Sequence, residues 1–153
     1  MGQPILLLVS DQGRVLEALA GDLSRRFGAE YRILGECSPA AALATLERLA
    51  ARSEEVALVM AAQQMREMTG IDFIVRAHEL YPSAKRVLLV GRRKWTSANP
   101  AVRAMMLGQI DDYLFEPWLP VGRWLYLPIT QVLADWVPMR VGQPGGLIRG
   151  PSA

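Results

Sequence analysis

With 153 residues, 51% of them hydrophobic and 21% charged, the chain is long enough to bury one substantial core and has the composition of a globular domain. Seventeen basic residues face fifteen acidic ones, a net charge of +2 that forces no polyanionic partner, and the single cysteine, Cys37, excludes an internal disulfide. The apolar runs are too short to span a bilayer, and the N-terminus has no basic stretch ahead of a long apolar core. The expectation is a soluble, cytoplasmic protein with no membrane partner.

In chain order, short apolar runs alternate with helical periodicity. Ile5 to Val9 is a continuous apolar run, as expected of a strand buried on both faces. Ser10 to Gly13 is a turn, after which Leu16, Leu19, Leu23 and Phe27 recur at spacings of three and four. Tyr31 to Glu36 reads as a second strand, and Cys37 at its end is expected to be buried and unreactive. Ser38-Pro39 is a cap followed by a first-turn proline, with Leu43, Leu46 and Leu49 on one face of the helix it opens. Val56 to Met60 is a third buried strand. Thr69 caps the next helix, which carries Phe73, Ala77 and Leu80 inward and stops at Tyr81-Pro82. Arg86 to Val90 is a fourth strand, a short helix follows Pro100, and Tyr113 to Phe115 is a fifth strand. The last helix is expected from about Trp124 to Trp136, with Pro128 tolerable only near its first turn.

Five apolar strands alternating with five helices predict an α/β fold: a doubly wound parallel sheet covered on both faces, one domain over residues 1–138. Residues 139–153 are rich in Gly and Pro without periodicity and read as a tail or linker. In such folds ligands bind at the carboxyl ends of the strands. Those ends read Ser10-Asp11, Ala61-Ala62, Val90-Gly91 and Glu116-Pro117.

Met65-Arg-Glu-Met-Thr-Gly70 is similar to the Met-Pro-x-Met-Asp/Thr-Gly loop of bacterial response-regulator receiver domains. Tyr113-Leu-Phe-Glu-Pro117 is similar to their Tyr-Leu-x-Lys-Pro. The resemblance covers residues 4 to 136. Tyr81 to Leu89 and Glu116-Pro-Trp118 also resemble a subgroup found alone or ahead of other modules, including flavin-dependent thioredoxin reductase-like enzymes. The resemblance implies strand order 2-1-3-4-5 and a cis bond before Pro117.

A receiver that accepts phosphate holds Mg²⁺ with two or three carboxylates, and surrounds the phosphoryl group with a lysine and a hydroxyl; Mg²⁺ demands oxygen ligands, and the transferred group demands positive charge. Carried over residue by residue, the acceptor place is Ala62. The acidic pair is Ser10 and Asp11, the hydroxyl place is Val90 and the lysine place is Glu116. One acid survives beside the acceptor place, and the lysine is reversed in charge. The expectation is a pseudo-receiver with no phosphorylation switch, no catalytic residues, no metal and no cofactor. Asp11 and Glu116 are expected close together, as solvated acids or paired with Arg92, Arg93 or Lys94 in preference to a remnant cation site.

Other residues carry less. Arg92-Arg-Lys-Trp95 offers bases beside an aromatic, but a run this short ordinarily makes a solvated face, so nucleic acid is not the expected partner. His78 has no partner at ligand spacing and reads as a boundary residue. The turn at Ser10 lacks the hydroxyls and glycines of an FMN phosphate loop. Trp95, Met105, Met106, Leu107, Trp118, Trp124, Leu125 and Leu127 gather around the fourth helix, fifth strand and fifth helix, more than one apolar stripe needs. Trp95, Met105, Met106, Trp118 and Trp124 are the candidate interface, for a protein partner or a homodimer. The alternative is a regulatory domain from the N-terminal part of a longer oxidoreductase or output protein.

Overall fold

A computed structural model of the protein describes residues 2–91, 98–115 and 125–137. The elements follow in strict alternation: β1 (Ile5–Val9), α1 (Gly13–Phe27), β2 (Arg32–Glu36), α2 (Pro39–Ala51), β3 (Val56–Ala62), α3 (Gly70–Leu80), β4 (Lys85–Val90), α4 (Ala98–Met106), β5 (Asp112–Phe115) and α5 (Tyr126–Ala134). The five strands form one parallel sheet in the order β2-β1-β3-β4-β5.

The period of two along the central strands distributes the core into two layers. Ile5, Leu7 and Val9 of β1 and Val59 and Ala61 of β3 face Ala42, Leu46 and Leu49 of α2, Phe73, Ile74 and Ala77 of α3, and Ala101 and Ala104 of α4. Leu6 and Leu8, with Leu58 and Met60, face Leu19, Leu23 and Phe27 of α1 and Ile129 and Leu133 of α5. Every residue of β1 and β3 is buried. Each leucine fully buried in this way contributes about 1.5–3 kcal/mol over leaving it in water.

The helix starts read from the sequence hold. The Ser38 hydroxyl accepts from Ala41 N at 3.1 Å with Pro39 in the first turn, and the Thr69 hydroxyl accepts from Asp72 N at 3.2 Å. Four readings need correction. β3 continues past Met60 to Ala62, because Ala61 and Ala62 pair with Leu88 and Leu89 of β4. α4 begins at Ala98, so Pro100 lies inside its first turn, where its missing N–H costs nothing. β2 begins at Arg32, one residue after the expected Tyr31, and lies at the sheet edge with Arg32 and Gly35 exposed. Cys37, expected to be buried, is exposed, because the chain leaves that sheet edge directly into the α2 cap. Residues 139–153, the Glu116-Pro117 bond, Trp95, Trp118 and Trp124 lie outside the described residues.

At the opposite end of the sheet from the carboxyl strand ends, Tyr81 closes α3 by donating its hydroxyl to the Glu54 carbonyl at 2.7 Å. Burial, with the Glu54 charge adding to it, pushes the Tyr81 phenol up to about 12 from its ordinary value of 10.0. The fold therefore favours the neutral phenol. This contribution to stability is complete below pH 10, falls as the pH rises from 10 towards about 12, and is gone above that. Tyr31 is shifted in the same direction. Tyr81→Phe should reduce the loss of stability measured by urea unfolding above pH 10, while lowering stability at neutral pH by about 1 kcal/mol for the lost hydrogen bond. An unchanged alkaline profile would contradict the assignment.

Candidate functional site

The carboxyl ends of β1, β3 and β4 place Ser10, Asp11, Ala62, Gln63, Val90 and Gly91 along one edge of the sheet. Ser10 is buried, and its hydroxyl accepts from Gln12 N at 3.2 Å while its own amide donates to the Glu36 carbonyl at 3.2 Å. It serves the turn into α1, whose cap residue Gln12 makes no side-chain capping bond. Asp11 is half-buried, and its Oδ2 accepts from the backbone N–H of Arg66, 55 positions away, at 2.9 Å.

Ala62 is the last residue of β3, 1% exposed, and presents a methyl group where the resemblance puts the acceptor carboxylate. Val90 is fully buried within the core layer that contains α3 and α4. The first residue past β4 is Gly91, and among the described residues nothing lies within 4 Å of where a Cβ on it would stand. Neither side chain carries a hydroxyl, so the strand end lacks one whichever of the two positions is compared. Glu116 lies outside the described residues, as do Arg92, Arg93 and Lys94, so its pairing with Asp11 is not part of the described geometry. Among the described residues no group of three or more His, Cys, Asp or Glu is arranged to hold a metal ion. His78 is half-buried at the edge of α3, as its sequence context suggested.

Sequence reading missed Gln63, which organises the segment between β3 and α3. It is 6% exposed, donates its amide to the Leu89 carbonyl at 2.8 Å, and accepts Gly70 N on its backbone oxygen at 3.1 Å. Its side-chain Oε1 accepts Ile71 N at 3.1 Å. With Thr69 taking Asp72 N on its hydroxyl and Phe73 N on its carbonyl, all of the first four amides of α3 have acceptors. Gly70 makes the tight start possible: a Cβ there would lie 2.5 Å from the Ala62 carbonyl oxygen and 2.7 Å from Leu88 Cδ1. The only local signal was a polar residue directly after a buried strand.

Among the described residues, the most exposed large apolar side chains lie at the end of α4 and the start of α5, with Val75 of α3 and Val137 also exposed. Met106 is 82% exposed, Leu107 63% and Leu127 64%, with Val102 and Met105 less so. Tyr113 and Phe115 of β5 are half-buried and meet edge to face at 6.2 Å. Of the candidate interface residues, Met105 and Met106 are thus exposed on α4. No helix among the described residues is long and apolar enough to cross a membrane.

This architecture is that of known signalling domains. The chain is similar to the signal receiver domain of an HD domain-containing protein from Pseudomonas fluorescens Pf-5, with 30% identity and a TM-score of 0.68 over 88% of this chain and 89% of that one. It is also similar to a response regulator receiver domain protein from Clostridium thermocellum, with 18% identity and a TM-score of 0.67 over 86% of this chain and 94% of that one. In sequence it matches the hydrogenase transcriptional regulatory protein HoxA of Cupriavidus necator, 27% identical over 118 residues. That match takes in 77% of this chain and 22% of HoxA, so the chain spans about a fifth of that relative's length. No family model matches the sequence. By its fold, this chain is a receiver-type domain of the kind found in response regulators.

Gln63→Met keeps the side-chain volume and removes the acceptor for Ile71 N. It should cost about 1–2 kcal/mol in urea unfolding, because the helix amide is left without a partner. A midpoint equal to wild type would show that the amide does not depend on this acceptor.

Proposed function

We propose that this receiver-type domain works in signal transduction without being phosphorylated, as a module that binds protein through the face of α4, β5 and α5. The observation that carries the reading is the methyl group of Ala62 at the end of β3, where an acceptor would need a carboxylate. Ser10 and Val90 deepen it. The first has a hydroxyl committed to the α1 turn, and the second an apolar side chain in the core. Phosphoryl transfer needs a nucleophile, a cation held by oxygen ligands and positive charge around the phosphate. Catalysis, a cofactor and a nucleic-acid partner are not part of the reading. Regulation then comes from partner binding or concentration, since a switch needs an input that tells two states apart.

The exposed Met106, Leu107 and Leu127 support the choice of face, because Met and large apolar side chains are what interfaces bury. Self-association into a homodimer is one form such binding would take, and a cytoplasmic setting is consistent with a single free cysteine. A second reading is that the domain regulates a longer oxidoreductase or output protein. It is favoured by the similarity to a segment of HoxA and to the receiver domain of an HD domain-containing protein.

Met106→Asp/Leu107→Asp should leave the unfolding free energy measured in urea within about 0.5 kcal/mol of wild type, since both side chains are exposed. In sedimentation velocity over a concentration series, the wild type should self-associate, and the variant should weaken that association about tenfold or more. Acetyl phosphate with Mg²⁺ should change neither. A wild type that stays monomeric throughout would exclude the homodimer form. Association that strengthens with acetyl phosphate would contradict the whole reading.

A further inference from the structure

The surviving acid of the pocket has a partner that composition would not suggest. Asp11 lies in the turn after β1, and its Oδ2 accepts the backbone N–H of Arg66 at 2.9 Å. Arg66 sits in the middle of the segment joining β3 to α3, between Met65 and Met68, which pack on the core layer of α2, α3 and α4. The far side of that segment is tied to α2 through Glu67 Oε1, which accepts Ala40 N at 3.4 Å. Its two ends are closed by Gln63 and Thr69. The Asp11 bond is therefore the tie from β1 to the middle of the segment, and an ionised acceptor makes it stronger than a neutral one. The receiver motif that this segment resembles has proline at the place of Arg66, and a proline has no N–H to give.

We infer that Asp11 is the positioning residue of a metal-independent latch, in which its carboxylate holds the Arg66 N–H and keeps the β3–α3 segment in one conformation. The inference rests on the reading of the pocket as unable to accept phosphate, and it assigns that pocket's remaining acid a structural acceptor role in place of a cation. The donor is the main chain of Arg66, so its guanidinium is dispensable. The identity of residue 66 matters only in that it is not proline.

Hydrogen exchange of the amides of residues 64–69 in the full-length protein tests this directly. Arg66→Ala keeps the N–H and should match wild type. Arg66→Pro removes the donor and Asp11→Ala the acceptor, and each should speed exchange of the remaining amides in the segment roughly tenfold, the order expected for one hydrogen bond to a charged acceptor. The double variant Asp11→Ala/Arg66→Pro should exchange no faster than either single variant, because the two changes remove the same bond. Asp11→Asn keeps an oxygen acceptor without the charge and should give protection between those of Asp11→Ala and wild type. Unchanged exchange in Asp11→Ala, a loss of protection in Arg66→Ala, or additive effects in the double variant would each overturn the latch. Mg²⁺ titrated into the wild type separates this from the reading beneath it. Saturable binding at Asp11 would overturn the pocket reading, whereas unchanged exchange in Asp11→Ala without Mg²⁺ binding would overturn the latch alone.

Discussion

Strand β3 is buried on both faces along its whole length, and the rest of the molecule is organised by that constraint. A strand with no exposed face has to satisfy its backbone through neighbours on both edges, here β1 and β4, and its side chains through a helical layer on each side. Parallel pairing then brings the carboxyl ends of all three strands to one edge. Whatever chemistry the domain performs at that edge depends on which side chains the strands deliver there. β3 delivers an alanine, and the backbone around it is so closely set that Gly70 alone clears the Ala62 carbonyl.

Around that alanine three polar side chains among the described residues bond to the protein's own backbone. The Ser10 hydroxyl serves Gln12 N, the Gln63 amide serves α3, and the Asp11 carboxylate serves Arg66 N. They order the connections between strands and helices. The most exposed large apolar side chains among the described residues, Met106, Leu107 and Leu127, lie away from these groups, at the end of α4 and the start of α5.

Much of the fold is legible in the sequence because its signals are short-range. Ile5 to Val9 has no amphipathic alternation and must be buried on both sides, and Ser38-Pro39 and Thr69 cap helices through bonds that span three residues. What was not legible depends on distant pairing. Ala61 and Ala62 carry no strand signal of their own and join β3 only because β4 extends alongside them. Cys37 looked like a buried small hydrophobe until the position of β2 at the sheet edge exposed it. The alanine at the end of β3 is read directly from the sequence. The use of Asp11 is not, since its donor lies 55 positions along the chain and belongs to a backbone group that no side-chain pattern reports.

The most direct test of a phosphorylation-independent receiver is a titration of the isotopically labelled protein with Mg²⁺ and beryllofluoride, followed by amide NMR shifts at Ser10, Asp11, Ala62 and Gly91 and along α4. The account predicts no saturable shift at either place, because no carboxylate stands at Ala62 to take the fluoride complex. A saturable shift at the strand ends accompanied by movement of the α4 amides would mean that the domain still binds a phosphoryl mimic and relays it, and would contradict the account.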